Sequence, residues 1–410
     1  MARAIILLFA LTGCGRISFD SAPPDGIACS GGDRSMVDTE TGDCYIAFDT
    51  AASFTSAEQT CAGLDAHLSS PHSDRENALV LGVQPARSWM GGTDVGHEDF
   101  STWTSDEAWD YANWTTSEPN HGIEGCAQMI PTTAQWNEED CAQAYPFSCI
   151  RRPEREPVTL GAWGTPTVVV DSAIDEQDPT ISPNGLELVF SLQMPNGASS
   201  DLYVMTRTTR DDAWSAPVKM AINMAGTNQS EARFSSDGLR LYFGSNQGAS
   251  YDVYYVERDR LGMPWGSRHA LAEVNRDPDI DKFLSVCSGG YYLMVHAADG
   301  AALEHLYAGR LGSGMPEVEE TMLENAGRTT SPQLMPDCKT AYITTSDTTT
   351  IDIKVSTRNA IGAPWSTPAT LEIDTPTLDE SDPAVTTDQR EMYFVHKGVN
   401  ASTDLFVSRR

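Results

Sequence analysis

Several oxygen-bearing side chains lie close together between residues 118 and 138. They are Glu118, Asn120, Glu124, Asn137 and Glu138. A hard cation such as Ca²⁺ takes about six to eight oxygen ligands, mainly from carboxylates and amide carbonyls. Two loops of the chain would supply these ligands, and Pro119 bends the first of them. We therefore interpret the five residues as a candidate calcium site.

Two short helices are predicted upstream of this site. Residues 53–64 carry apolar side chains at a spacing near 3.6, with Ser and Thr available as caps. Residues 73–81 offer Ser73 as the N-cap and Glu76 at the capping-box position. Short aromatic-rich strands and long polar loops follow these helices.

The cysteines separate this region from the rest of the chain. Apart from Cys14 there are eight Cys, six of them within residues 29–149. An even set in an exported protein indicates disulfides, and the absence of any Cys-x-x-Cys pair argues against a zinc ribbon or thioredoxin-type site. A charged, proline-flanked segment at 151–157 marks the boundary. We divide the chain into a domain at 29–152, a linker at 153–162 and a domain at 163–410.

The order of landmarks in the first domain resembles the C-type lectin-like domain family in its long form. The matching residues are Cys44-Tyr45, Cys61, Ala66-His67-Leu68, Glu76-Asn77, Trp89-Met90-Gly91-Gly92, Tyr111-x-Asn113-Trp114, Glu118-Pro119-Asn120, Cys126, Trp136-Asn137 and Cys141 to Cys149. The resemblance covers about 120 residues. It implies an α+β domain with the disulfides Cys29–Cys44, Cys61–Cys149 and Cys126–Cys141.

The same resemblance implies a role for the candidate calcium site. Pro119 would be cis, and Glu118, Asn120, Glu124 and Asn137 would contact sugar hydroxyls as well as Ca²⁺. The Glu-Pro-Asn order resembles the mannose-type lectins. Glu138 is a departure, because the family has Asp at this position. Two interpretations stay open: calcium-dependent sugar recognition, and a calcium-independent lectin-like module that binds protein.

The second domain is a repeat with a period near 50 residues. Trp163, Trp214, Trp265 and Trp365 are separated by 51, 51 and 100 residues, and Met315 fills the gap. Each unit has β-type runs, and Asn-Gly and Asp-Gly turns predict antiparallel hairpins. Four strands in each of five units predict an all-β five-bladed propeller. The repeat resembles the WD-repeat-like propellers of bacterial envelope proteins, such as the periplasmic Tol-associated propeller.

The phase of the repeat predicts how the ring closes. The last unit has three strands, and residues 165–170, before the first unit, would supply its fourth. Cys287 and Cys338 fall in the same inter-strand turn of units three and four, which predicts a disulfide between adjacent blades. Acidic residues precede the innermost strands, namely Asp175, Glu176, Asp178, Asp277, Asp279, Asp281, Asp379, Glu380 and Asp382. They would either line one mouth of the channel and hold cations, or cap turns and bond neighbouring blades.

The N-terminus predicts export and a lipid anchor. Arg3 precedes a short apolar run that ends in Leu11-Thr12-Gly13-Cys14, which resembles the bacterial lipobox. We therefore expect a signal peptide at 1–13, lipidation of Cys14 and a tether at 14–28. Gly15, rather than Asp, after the Cys favours the outer membrane, facing the periplasm or the exterior. The net charge of −31 (27 Lys+Arg against 58 Asp+Glu) excludes a nucleic-acid partner.

The sequence favours a binding protein over an enzyme. It contains no Gly-x-Ser-x-Gly, His-Glu-x-x-His, Walker or Gly-x-Gly-x-x-Gly motif. We expect a lipid-anchored envelope protein that binds glycans, with the propeller as a scaffold for another envelope protein. The rival interpretation is a carbohydrate hydrolase or lyase. Its propeller would hold paired carboxylates, and its lectin-like domain would target the substrate.

Overall fold

The computed structural model describes residues 29–410 except for 85, 96–100, 121–122, 154–159, 195–198, 249, 277, 299–303, 315–316, 325–327, 347–349, 374–378 and 398–401. The expected signal peptide, the lipidation site Cys14 and the tether lie outside the described residues, as does most of the linker. None of the described helices has the length and apolarity needed to cross a membrane.

The first domain is built on an eight-stranded sheet. Its strands are β1 (Arg34–Val37), β2 (Cys44–Ala52), β3 (His67–Leu68), β4 (Ser88–Thr93), β5 (Thr102–Trp103), β6 (Cys126–Met129), β7 (Trp136–Glu139) and β8 (Tyr145–Arg151). The order across the sheet is β1, β2, β8, β4, β6, β7, with β3 beside β8 and β5 beside β4. Among the described strands of this sheet, β4 and β8 pair in parallel and the other pairs are antiparallel. The sheet places β7, which carries Asn137 and Glu138 of the candidate calcium site, at one edge.

Two helices pack on this sheet where the sequence predicts them. α1 (Phe54–Ala62) buries Phe54, Ala57 and Cys61, which recur at helical spacing. α2 (Asp74–Val83) begins at Ser73, whose side chain accepts a hydrogen bond from the Glu76 N–H at 3.2 Å. This bond satisfies one of the amide donors that a helix N-terminus leaves open.

Buried tryptophans and three disulfides stabilise the first domain. The ring centroids of Trp103 and Trp109 lie 4.3 Å apart, and Trp89 and Trp136 are fully buried. The disulfides are Cys29–Cys44, Cys61–Cys149 and Cys126–Cys141, the pairs that the family resemblance implies. The Cys61–Cys149 bridge joins residues 88 apart in sequence. Such a loop stabilises a fold by about 4–5 kcal/mol in the chain-entropy model.

The second domain is the predicted five-bladed propeller, with four antiparallel strands in each blade. Blade 1 contains β10 (Glu176–Ile181), β11 (Glu187–Gln193), β12 (Ser200–Thr206) and β13 (Val218–Lys219). Blade 2 contains β14 (Gln229–Phe234), β15 (Arg240–Ser245), β16 (Asp252–Glu257) and β17 (His269–Ala270). Blade 3 contains β18 (Ile280–Val286), β19 (Tyr291–Ala297), β20 (His305–Arg310) and β21 (Val318–Glu319).

The last two blades complete the ring, and a short helix, α3 (Thr321–Glu324), precedes the fourth. Blade 4 contains β22 (Arg328–Leu334), β23 (Thr340–Ser346), β24 (Ile351–Thr357) and β25 (Ala369–Thr370). Blade 5 contains β26 (Glu380–Val385), β27 (Glu391–Lys397), β28 (Thr403–Arg409) and, from the start of the domain, β9 (Thr167–Val170). β9 pairs antiparallel with β28, which confirms the predicted closure. Closure leaves blade 5 without an open edge at this position.

In most repeats an arginine stacks on the tryptophan that recurs in the repeat unit. Its guanidinium carbon lies over the indole ring in four pairs: Arg410 over Trp163 at 4.1 Å, Arg207 over Trp214 at 4.4 Å, Arg258 over Trp265 at 4.2 Å and Arg358 over Trp365 at 4.3 Å. Arginine stacks well on indole because the ring face carries negative charge density. This contact explains why Trp and Arg recur together in the repeat.

Charged and covalent contacts join neighbouring blades. Arg258 of blade 2 pairs with Glu187 of blade 1 at 2.7 Å, and Arg207 of blade 1 pairs with Glu391 of blade 5 at 2.6 Å. All four side chains are largely buried. The Cys287–Cys338 disulfide joins blades 3 and 4, as the alignment of the repeats predicts.

Each innermost strand has a bulge with one residue of left-handed backbone. These residues are Asp178 (φ 51°), Glu231 (φ 60°), Phe283 (φ 54°), Ser331 (φ 48°) and Asp382 (φ 55°). Asp178 Oδ2 accepts hydrogen bonds from Ser191 Oγ at 3.0 Å and from the Glu231 N–H of the next blade at 3.1 Å. Asp382 Oδ1 accepts one from Ser331 Oγ of blade 4 at 2.5 Å. Asp178 and Asp382 thus bond neighbouring blades, the second of the two expected roles. Asp277 lies outside the described residues.

Candidate functional site

The first half of the site is a loop that runs alongside β7. The Trp136 N–H donates to the Asn113 carbonyl at 2.8 Å, and the Thr115 N–H donates to the Trp136 carbonyl at 2.9 Å. The indole N–H of Trp136, which is fully buried, donates to Asn77 Oδ1 of α2 at 2.8 Å. These bonds fix the loop against the sheet just before Glu118.

Glu118 links the loop to the strand. Its Oε1 accepts a hydrogen bond from Asn120 Nδ2 at 3.0 Å, and its Oε2 accepts one from the Glu138 N–H at 3.1 Å. The peptide bond between Glu118 and Pro119 is cis, as the family resemblance implies. The structure therefore brings Glu118, Asn120 and the backbone of β7 together.

The two predicted ligands on β7 lie on opposite faces of the strand. Asn137 is half-buried, and its Nδ2 donates to the Glu138 carbonyl. The Glu138 side chain is 1% exposed and shares the buried face with Trp136. Side chains alternate along a strand, so Asn137 and Glu138 cannot both point to the same side. The side chains of Asn137 and Glu138 therefore do not come together on one side of β7.

Glu124 lies on the segment that leads into β6, two residues before Cys126. It is half-buried, and it forms no hydrogen bond or ion pair with the described residues. A carboxylate that the sequence analysis missed lies nearby: Asp94 is buried, and its Oδ1 would lie 2.7 Å from a Cβ placed on Gly125. A side chain at 125 would therefore displace the Asp94 carboxylate. The signal in the sequence was an acid placed directly after the buried strand β4.

The donor atoms of this region fit calcium in type, but the carboxylates are not gathered into a cage. Glu118, Asn120, Glu124 and Asn137 offer the carboxylate and amide oxygens that calcium prefers. Among the described residues, one group of three His, Cys, Asp or Glu side chains places its ligand atoms within 4.8 Å of each other. That group is His305, Glu319 and Glu324 in the propeller.

The propeller channel is filled at its centre. Arg233 is 2% exposed, and it donates to the carbonyls of Pro179 in blade 1 (3.1 Å) and Pro332 in blade 4 (3.4 Å). Burial raises the pKa of the neighbouring Glu231 to about 8, although Lys282 opposes the shift. The cavity beside Arg233 encloses ≈ 40 Å³. The small volume of this cavity leaves little room for a ligand beside Arg233.

Comparison with known proteins identifies the first domain. The family model described as Lectin C-type domain matches residues 50–151. "Lectin" from Pleurodeles waltl is 34% identical over 116 residues, which cover 26% of this chain and 67% of that protein. "Ladderlectin" from Oncorhynchus mykiss is 29% identical over 118 residues, which cover 27% of this chain and 62% of that protein. Through this domain the chain belongs to the C-type lectin domain family.

A solved structure aligns with the same domain. The mouse scavenger receptor C-type lectin carbohydrate-recognition domain is 26% identical, and the alignment covers 30% of this chain and 98% of that one with a TM-score of 0.27.

Proposed function

We propose that this protein is a glycan-binding protein of the bacterial cell envelope, with calcium and a mannose-type sugar bound at the Glu118 loop. One observation carries the proposal. The Glu118 carboxylate is hydrogen-bonded to both Asn120 and the backbone of β7, so the two segments that supply oxygen ligands meet at one point. The names of the two relatives, Lectin and Ladderlectin, support a sugar ligand.

The residues that would hold calcium through their side chains are Glu118, Asn120, Glu124 and Asn137. The side chain of Glu138, the fifth predicted ligand, is buried on the other face of β7 and would not take part. The amide nitrogens of Asn120 and Asn137 already donate hydrogen bonds, which leaves their amide oxygens as ligands. When bound, calcium would neutralise the carboxylates and take hydroxyl oxygens of the sugar as further ligands. Asp94 lies beside Gly125 and adds negative charge to the same end of the domain.

The placement of the protein at the outer membrane rests on the sequence. Lipidation of Cys14 would anchor the chain, and residues 14–28 would serve as a tether. A single shallow sugar site binds weakly, but many copies on one membrane bind a multivalent surface tightly. The propeller would then act as a scaffold for another envelope protein.

A calcium-independent module that binds protein is the second candidate. The buried side chain of Glu138 favours this candidate. So does the observation that Glu118, Glu124 and Glu138 do not all bring their carboxylate oxygens within 4.8 Å of one another. The hydrolase or lyase interpretation has less support, because the Arg233 side chain bridges blades 1 and 4 at the centre of the propeller.

Calorimetric titration with CaCl₂ and with methyl α-mannoside tests the proposal. We expect calcium to bind in the ~0.1–1 mM range of extracellular modules, and chelator to abolish sugar binding. Glu118→Gln should weaken calcium binding about tenfold or more, the equivalent of about 1.4 kcal/mol. Glu40→Gln is the matched control, because the Glu40 side chain is 72% exposed and contacts Arg75 rather than the loop.

The proposal fails if calcium produces neither heat nor a melting shift at about 10 mM, well above the expected range. Sugar binding that survives chelator would also exclude calcium from the site. Binding of a protein by the calcium-free domain would favour the second candidate.

A further inference from the structure

The lectin domain and the propeller are in direct contact at blades 2 and 3. The Trp109 N–H of the lectin domain donates to Ser288 Oγ of the propeller at 2.7 Å. Leu239 of blade 2 packs against the core of the lectin domain. A Cβ on Gly289 of the propeller would lie 3.0 Å from Thr102 Cγ2 of the lectin domain, which is closer than an ordinary van der Waals contact. The close packing of the two domains at this point therefore favours glycine at 289.

A cleft of ≈ 500 Å³ opens beside this contact. Ser117, Glu118 and Pro119 line it on the lectin side, and Arg240, Tyr255 and Asp259 line it on the propeller side. Small-ligand sites typically enclose about 300–1,000 Å³. We propose that this interdomain cleft is a composite glycan site, in which the lectin domain holds one sugar and blade 2 of the propeller contacts the next.

The propeller wall has the chemistry that a sugar needs. Arg240 Nε pairs with Glu257 Oε1 at 2.6 Å, and its guanidinium lies 5.5 Å from the ring centroid of Tyr255. Tyr255 stacks on His269 with centroids 5.4 Å apart, which holds the ring in place. The part of this fixed ring that faces the cleft can pack against a pyranose. The adjacent charged groups can hydrogen-bond its hydroxyls.

Asp259 is the group most available to a ligand. It is exposed, and it makes no hydrogen bond or ion pair with the described part of the chain. The charged groups around the cleft are the carboxylates of Glu118, Asp237, Glu257 and Asp259 and the guanidinium groups of Arg240 and Arg258. With calcium bound at Glu118, the four carboxylates are balanced by the ion and the two guanidinium groups, so the cleft has no net positive charge to attract an acidic glycan. The ligand is therefore an uncharged oligosaccharide that reaches from Glu118 to blade 2.

This inference rests on the proposed function, because Glu118 is the residue the two halves of the site share. The test compares the affinities of methyl α-mannoside and of mannotriose for the full chain by calorimetry. We expect mannotriose to bind about tenfold more tightly, a gain equal to about 1.4 kcal/mol. Tyr255→Leu and Asp259→Ala should abolish that gain and leave the affinity for methyl α-mannoside unchanged.

Two control variants match these changes. Tyr254→Leu alters the adjacent residue of β16, which stacks on Phe243 instead of lining the cleft. Asp211→Ala removes an exposed carboxylate from the corresponding turn of blade 1. Both controls should keep the gain for mannotriose. Asp259→Ala is a surface change, so it remains informative if Tyr255→Leu fails to fold.

Equal affinity of the wild-type protein for the two sugars would overturn the composite site while leaving the lectin function intact. A gain for mannotriose that survives both cleft variants would overturn it as well. Failure of the wild-type protein to bind either sugar would instead remove the proposed function, and the composite site with it.

Discussion

Replacing Trp163 by alanine should destabilise the propeller at its point of closure. Trp163 is 5% exposed, packs in one cluster with Met335, Tyr342 and Ile353, and lies under the guanidinium of Arg410 at 4.1 Å. A buried tryptophan removes about 150–250 Å² from water, which at ~25 cal/mol per Å² stabilises the fold by about 4–6 kcal/mol. Measured costs of Trp→Ala in cores are about 3–5 kcal/mol, and we expect about 4.

This loss should appear as a lower melting temperature of the propeller. For a domain of about 150–250 residues each kcal/mol lowers Tm by roughly 2–4 °C, so differential scanning calorimetry should record a decrease of about 8–16 °C. Trp365→Ala is the matched control, because Trp365 is 3% exposed and lies under Arg358 at 4.3 Å. Its decrease in Tm should be similar.

The two variants should differ in where the structure opens. Trp163 precedes β9, whose pairing with β28 closes the ring, whereas Trp365 lies within a continuous blade. Hydrogen exchange at residues 167–170 should therefore become faster in Trp163→Ala alone. A decrease in Tm below about 2 °C, equivalent to less than 1 kcal/mol, would refute the assigned packing of Trp163. Equal protection of β9 in both variants would refute its role in closure.

Three further predictions concern pH and covalent links. Burial lowers the pKa of His72, but the carboxylates of Asp110 and Glu107 more than offset this and raise it to about 9. Protonated His72 therefore contributes its full stabilisation below about pH 6.5, and this contribution is lost as pH rises through about 9. In urea unfolding, the free energy of unfolding of His72→Asn should decrease less over this pH range than that of the wild-type protein. Burial raises the pKa of Glu231 from 4.5 to about 8, so stability falls over that interval, and Glu231→Gln should remove this fall in the same assay. The Cys287→Ser, Cys338→Ser double variant removes a disulfide between residues 51 apart. Its free energy of unfolding, measured with denaturant, should be lower by about 4 kcal/mol. A decrease below about 1 kcal/mol would contradict the chain-entropy argument.

Much of the fold was predictable because its signals are local and periodic. The spacing of Trp163, Trp214, Trp265 and Trp365 reports the blade period, since each tryptophan repeats one contact with an arginine. The start of α2 was predictable from Ser73, because a cap depends on residues three apart.

Other features carry no such signal. The five left-handed bulge residues share a backbone position but include acids, Phe283 and Ser331, so residue type does not mark them. The contact between Trp109 and Ser288 joins residues 179 apart and depends on how two finished surfaces fit together. The burial of Glu138 was also missed, because the register of β7, and not the residue type, decides which face a side chain takes.

The pairing of β9 with β28 also imposes an order of assembly. The lectin domain contains both partners of each of its disulfides within residues 29–149, so it can mature as soon as that stretch is available. The propeller must wait, because Thr167–Val170 has no partner strand until residues 403–409 have been made. A truncated polypeptide that lacks those residues would display an unpaired strand edge, which proteases and other chains can recognise. Ring closure thus depends on both ends of the propeller domain being present in the same molecule.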